Sequence, residues 1–229
     1  MRPSVSIVIP AWNEAPMLPE TLKALRTGRQ AGEWDEIVVV DDGSTDDTYA
    51  AAVAGADTII RHKRNYGKGK ALEAGWRNAK GTIIVFLDAD LGASADFARI
   101  LLSPLFAGQC DMSIATFPAN ERKGGFGICK KVAAKGIHAL SGYLPVEPLS
   151  GQRAVRRELL EQIGGLSGGF GIEVGLTIDA ARFGFRIREV PVSFRHRETG
   201  RDLQGFLHRG RQLVAVSKTL FDKWRHPVC

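Results

Sequence analysis

Four short runs of β-branched and other apolar residues divide the first part of the chain, and each ends abruptly in polar or acidic residues. They are Val5–Ile9, Glu36–Val40, Thr58–Arg61 and Ile83–Leu87. Polar residues hardly interrupt them, so the strands they predict need cover on both faces. Stretches of helical length lie between. Pro16–Arg29 carries Leu18, Leu22 and Leu25 on one face, and Gly69–Lys80 forms another. Ser44 is placed to cap a further helix, with Asp47 three residues on in a capping-box-like position. The alternation predicts an α/β domain with a mostly parallel central sheet flanked by helices.

In such sheets ligands bind beyond the carboxyl ends of the strands. The polar clusters all fall there: Pro10-Ala11-Trp12-Asn13-Glu14, Asp41-Asp42-Gly43-Ser44, Arg64 to Lys70, and Asp88-Ala89-Asp90. Four loops on one rim predict one site. On a turn after the strand, Asp88 and Asp90 can converge, and a divalent cation, Mg²⁺ or Mn²⁺, removes their repulsion. A capped turn with solvated aspartates is the alternative. Gly67 and Gly69 let backbone approach a ligand, and Lys68 or Lys70 at a helix start favours phosphate. The segment has neither the Walker spacing nor G-x-G-x-x-G, and a tight turn with exposed lysines is its plainer reading. Asp42 is a candidate acceptor for a nucleobase N–H or a ribose hydroxyl. Stabilising the Gly43-Ser44 turn suits Asp41 better.

The second half predicts strands at Asp111–Phe117, Ser150–Val155 and Ile187–Arg195, and helices at Ile128–Leu140, Glu173–Phe183 and Leu203–Trp224. No repeat or linker interrupts it, so residues 1–229 read as a single domain. No apolar run approaches the roughly 20 residues that span a bilayer. The N-terminus is not patterned as a signal peptide. Cys110, Cys129 and Cys229 make neither a disulfide framework nor a zinc pattern, which points to a cytoplasmic, reducing setting. The net charge is +6, yet Arg182–Cys229 holds eleven Lys/Arg against four Asp/Glu, hence +7. That imbalance suggests phosphate, nucleic acid or an acidic membrane surface as partner, or simply a solvated face.

"IVIPAWNEA", "VVVDDGSTDDT", "NYGKGKALEAG" and "FLDADL" resemble, in order and spacing, the nucleotide-sugar half of family 2 glycosyltransferases with the Rossmann-like GT-A fold. The resemblance spans residues 4–92 and assigns 1–92 to the donor and 93–229 to the acceptor. It implies that Pro10, Ala11, Asn13, Glu14 and Asp42 hold the nucleoside, that Gly67 and Lys68 lie at the sugar nucleotide, and that Asp88 and Asp90 hold the metal on its diphosphate. "SGQRAVRRE" resembles the acceptor-side segment of polyprenyl-phosphate (dolichol-phosphate) glycosyltransferases, with Gln152 in place of the usual Phe. It implicates Ser150, Gly151, Gln152 and Arg153, whose fork suits a phosphate. "GGFGIEVGLTIDA" followed by "RHRETGRDL" is similar to glucosyl-3-phosphoglycerate synthases and points to Glu173 and, as a third metal ligand, His196. His196 lies between Arg195 and Arg197, and their charge favours a neutral, ligating imidazole. Glu173 is a candidate general base or hydroxyl-orienting group, or a plain helix-start Glu. Asp179, six residues on, reads as structural.

The implied reaction moves a hexose from a UDP- or GDP-linked donor to a phosphate-bearing acceptor, such as a 3-phosphoglycerate-like molecule or a polyprenyl phosphate, with Asp90 and Glu173 at the chemistry. Nucleic acid is not among the expected partners, and a homodimer is compatible. Two rivals remain at this point. A sugar nucleotidyltransferase normally has a Gly-rich, basic loop after strand one, where this chain has "PAWNEA". A non-catalytic nucleotide-sugar or membrane-surface module draws on the last helix. There Phe206, Leu213, Val216, Leu220 and Trp224 recur at helical spacing among Arg209, Arg211, Lys218, Lys223 and Arg225. Such a helix lies on an anionic membrane or packs on its own domain.

Overall fold

The computed structural model describes residues 2–117, 127–166, 171–195 and 203–226, without the side chains of 203–209 and 211. Strands β1 (Val5–Ala11), β2 (Glu36–Asp41), β3 (Thr58–Arg61) and β4 (Ile83–Phe86) alternate with helices α1 (Leu18–Gln30), α2 (Thr48–Val53) and α3 (Lys68–Asn78). A 3-10 segment, Gly92–Phe97, runs into α4 (Ala98–Phe106). There follow β5 (Met112–Thr116), α5 (Gly127–Ser141), β6 (Arg153–Arg156), α6 (Arg157–Ile163), α7 (Ile172–Arg182), β7 (Ile187–Pro191) and α8 (Leu203–Arg225).

The strands form one sheet in the order β3-β2-β1-β4-β6-β5-β7. Only β6 runs against its neighbours among these strands, and the other pairs are parallel. Strand order reverses at β1, with β2 and β3 on one side and β4 on the other. That reversal opens a crevice beyond the carboxyl ends of β1 and β4. The Pro10–Glu14 and Asp88–Asp90 segments leave those two ends.

Successive strand residues point to opposite faces, so each central strand feeds two cores. Ile7, Ile9, Ile37, Val39, Ile83 and Val85 pack with Leu18, Leu22, Leu25 and Trp34. Val8, Val38, Ile84 and Phe86 pack on the other face with Leu72, Trp76, Leu159 and Leu176. A third cluster joins α5, α7 and α8 through Ile137, Val174, Ile178 and Val216. Cys110 and Cys129 are buried free thiols.

Several expectations need correction. Ser44 does not cap α2. That helix begins at Thr48 after Asp47, without a side-chain cap, and the Ser44 hydroxyl accepts from the Asn13 amide instead. The last strand stops at Pro191 rather than Arg195. The strand expected at Ser150–Val155 is Arg153–Arg156, because Ser150 to Gln152 form the loop that enters it. Gly92–Phe106 and α6 were not anticipated: "GASADF" reads as a turn, and Pro104 inside α4 argues against helix. In α8, Leu213, Val216 and Leu220 face inward, whereas Trp224 is 66% exposed. Phe206 and Arg209 lie outside the described side chains.

Close seating of α3 on the sheet positions Lys68. A Cβ on Gly75 would lie 2.3 Å from Val8 Cγ1 and 3.1 Å from Val40 Cγ2. Both neighbours are stiff β-branched side chains within the sheet. Gly75→Ala gains about 1 kcal/mol of helix propensity but overpacks at about 1–3 kcal/mol. At 2.3 Å the upper end of that cost applies, so the expected net loss is about 2 kcal/mol, read as a lowered melting temperature. An unchanged melting temperature would show that α3 is not seated this tightly.

Candidate active site

The rim loops are stitched to one another. Asn13 takes the left-handed conformation (φ 55°), which Asn tolerates. Its Oδ1 accepts from the Thr45 amide (2.9 Å), and the Glu14 amide donates to Thr48 Oγ1 (2.8 Å). Pro10 and Ala11 end β1 just before this junction. Asp41 stabilises the next turn, as expected: its Oδ1 accepts from the Ser44 amide at 2.9 Å.

Asp42 is 3% exposed and well occupied. It accepts from the Tyr66 amide (3.0 Å) and the Gly67 amide (2.7 Å), and His62 Nδ1 lies 2.6 Å away. It therefore shapes the loop from which Lys68 departs, at the start of α3. Trp12 and Tyr66 keep exposed rings on this rim. An open cleft of about 470 Å³, lined by Gly43 to Thr45 and Arg61 to Lys63, adjoins Asp42 on the β3 side.

At the centre, Lys68 Nζ lies 2.8 Å from Asp88 Oδ1 and 3.0 Å from Glu173 Oε1. Gln152 Nε2 donates to Asp88 Oδ2 at 2.5 Å. Burial works against the Lys68 ammonium, but the Asp88 and Glu173 carboxylates outweigh it and hold its pKa above the usual lysine value. The cation therefore persists through the neutral range. Gly151 runs beneath: a Cβ there would lie 2.6 Å from Lys68 Nζ and 3.3 Å from Asp88 Oδ2.

The turn carrying Asp88 and Asp90 is held from below by Thr21 of α1. Its hydroxyl donates to Ala89 O (2.8 Å) and accepts from the Gly92 amide (2.8 Å). Two carboxylates on one turn are hard oxygen donors. They suit Mg²⁺ or Mn²⁺, which take few protein carboxylates and complete their shell with substrate phosphates and water. Among the described residues no three His, Cys, Asp or Glu side chains gather as a metal group. His196 lies outside the described residues.

Arg153 sits under the site rather than in it. It is 1% exposed. Its Nε donates to Ser150 O (2.8 Å), and Nη1 donates to Glu173 O (2.9 Å) and Thr177 Oγ1 (2.8 Å). Burial lowers its pKa to about 10, against the opposing pull of Glu173, Glu189 and Tyr143. Arg153 thereby fixes the Ser150-Gly151 loop relative to the start of α7. Asp179 is structural, paired with Lys223 of α8.

The fold thus gathers Lys68, Asp88, Gly151, Gln152 and Glu173, and sets Pro10 to Glu14 and Asp42 on the adjoining rim. Sequence reasoning missed Thr21, Thr177 and His62. A signal existed for Thr21, a polar residue on the Leu18–Leu22–Leu25 face of α1.

A doubly covered sheet with a carboxylate-bearing turn and a lysine-started helix at its switch point defines an α/β protein whose ligand rim lies beyond the carboxyl ends of the strands. Residues 6–166 match Glycosyl transferase family 2. The chain belongs to that family, with the GT-A fold, and is a glycosyltransferase, which sets aside the nucleotidyltransferase and the non-catalytic module. It is 30% identical over 237 residues to glucosyl-3-phosphoglycerate synthase of Mycobacterium tuberculosis (strain ATCC 25618 / H37Rv), covering 93% of this chain and 72% of that one. The crystal structure of the Mycobacterium tuberculosis enzyme with Mn²⁺, UDP and glucosyl-3-phosphoglycerate is similar at a TM-score of 0.78 and 29% identity, covering 95% of this chain and 80% of that one. Undecaprenyl-phosphate 4-deoxy-4-formamido-L-arabinose transferase of Sodalis glossinidius (strain morsitans) is 43% identical over 96 residues, 38% of this chain and 29% of that one.

Two substitutions test this geometry. Gly151→Ala should push Lys68 off Asp88 and lower turnover by at least about tenfold, the loss of one charge-assisted contact of about 1.5–3 kcal/mol, and the melting temperature should fall with it. Thr21→Val leaves the Ala89 carbonyl and Gly92 amide unsatisfied and should cost about 2–4 kcal/mol of stability by denaturant titration. Wild-type behaviour in either variant would show that its contact does not hold the site.

Proposed function

We propose that this glycosyltransferase moves a hexose from a UDP-linked donor to a phosphate-bearing acceptor, using a divalent metal held by Asp88 and Asp90. The observation that carries this reading is the Lys68 ammonium set between Asp88 and Glu173 at the sheet's switch point. The likeness to an enzyme crystallised with Mn²⁺, UDP and a glucosylated phosphoglycerate supports it.

In this reading the donor's nucleoside lies against Pro10 to Glu14 and the Asp42-shaped loop. Its diphosphate meets the first turn of α3, where free amides and the helix dipole favour anions. When bound, the metal neutralises charge on the departing nucleoside diphosphate. Lys68 adds a second positive charge beside the leaving group. Gln152 holds Asp88 in orientation. A phosphate oxygen needs no base to attack the anomeric carbon. A hydroxyl acceptor with inversion needs Glu173 to take its proton. With retention, Glu173 instead orients the sugar or acceptor. The acceptor chemistry shared by the two kinds of relative is the phosphate: on a glycerate in one, on a polyprenyl chain in the other.

Calorimetric titration of UDP-glucose and of a GDP-sugar, with Mn²⁺ or with chelator, tests the donor site. UDP-glucose should bind in Mn²⁺ and lose most of that affinity in chelator and in Asp90→Ala. Absence of any sugar-nucleotide binding by the folded protein in Mn²⁺ would overturn the donor assignment. Glu173→Gln should retain donor binding while turnover falls about 100-fold or more, the usual scale of a lost acid–base group. Unchanged turnover would remove Glu173 from the chemistry.

A further inference from the structure

Among the described residues, the outer face of the second half of α8 is exposed. Leu213, Val216 and Leu220 pack inward on α5 and α7, while Val214 (70% exposed), Phe221 (55%) and Trp224 (66%) point away. At about 100° per residue, these three share a stripe roughly 120° wide with Ser217, Lys218 and Arg225. The Phe221 and Trp224 rings sit together, 5.9 Å between centroids. Lys218 and Arg225 are exposed and make no ion pair or hydrogen bond with other described residues. Lys223, by contrast, turns inward to Asp179. Asp222, the one acidic residue in Gly210–His226, lies about 100° round from Phe221.

The end of α8 is also held firmly. Arg182, closing α7, donates to Leu140 O of α5 (2.8 Å) and to Lys223 O of α8 (2.9 Å). A guanidinium among three helix C-termini is electrostatically well placed. Leu144 and Val146, just past α5 and also exposed, add apolar surface at this end of the molecule.

We infer that this stripe docks the enzyme on a membrane surface rich in anionic phospholipid. Adjacent aromatic rings and exposed cations on one helix face suit the boundary between headgroups and acyl chains. The core of a protein interface is instead depleted in lysine. The +7 excess of Arg182–Cys229 supplies the matching long-range attraction. With three apolar side chains among the described residues of the stripe, set beside two cations, binding is peripheral and salt-sensitive. No helix among the described residues is long and apolar enough to cross a membrane. This inference stands apart from the donor and acceptor assignments, since its test needs no turnover.

The test is co-sedimentation of the full chain with vesicles of phosphatidylglycerol and phosphatidylcholine in equal parts, against phosphatidylcholine alone, at low and high salt. Wild type should pellet with the anionic vesicles at low salt and be released by high salt. The double variant Lys218→Gln, Arg225→Gln should bind about thirtyfold more weakly, two cations at about 1 kcal/mol each. Phe221→Ser with Trp224→Ser should weaken binding at least about tenfold with its melting temperature unchanged, since both rings are exposed. Absence of pelleting, or equal pelleting of wild type and both variants, overturns the inference. So does a dimer in sedimentation velocity that the Phe221→Ser, Trp224→Ser variant dissolves without any vesicle binding, which would assign the stripe to a second copy.

Discussion

The Lys68 ammonium between Asp88 and Glu173 is the contact on which the site depends. It joins the start of α3, the turn after β4 and the start of α7, the last separated from it by 105 positions in the chain. Two carboxylates converging on one point repel. A cation held between them offsets that repulsion and keeps three elements in register. The same charge is what a departing diphosphate requires, so the contact serves folding and proposed chemistry together.

Around that contact the molecule separates the groups that face ligands from the groups that hold them. Asp42 shapes the Tyr66-Gly67 loop, Thr21 ties the aspartate turn, and Arg153 braces Ser150 and Glu173. A buried guanidinium is costly to desolvate, and backbone carbonyls and Thr177 offset part of that cost for Arg153 by taking the donors of Nε and Nη1, while Nη2 is buried without a partner among the described residues. Burial makes such groups rigid, and rigidity is what a site needs to hold a reactant in line.

Much of the fold was readable locally. The first four strands, the position of the aspartate turn and the start of α3 to within a residue follow from apolar runs and the glycines beside them. The glycosyltransferase assignment was readable as well, because four motifs keep their order and spacing. The antiparallel course of β6 was not: "RAVR" carries no directional signal, and pairing partners are chosen by what lies alongside. In α8 the helical spacing shared by Leu213, Val216, Leu220 and Trp224 does not separate inner from outer face: the first three pack on α5 and α7, and Trp224 is exposed.

By itself, then, the sequence determined the alternating architecture, the family and the rim on which the polar loops converge, because these rest on periodicity and spacing within short segments. Tertiary structure decided what each polar side chain does. Arg153 turned inward as a brace, Asp42 became the anchor of the Lys68 loop, and Lys68 found Glu173. Those outcomes rest on contacts between residues far apart in the chain. No local pattern encodes the burial or the partner that settles whether a charge serves a ligand or the fold.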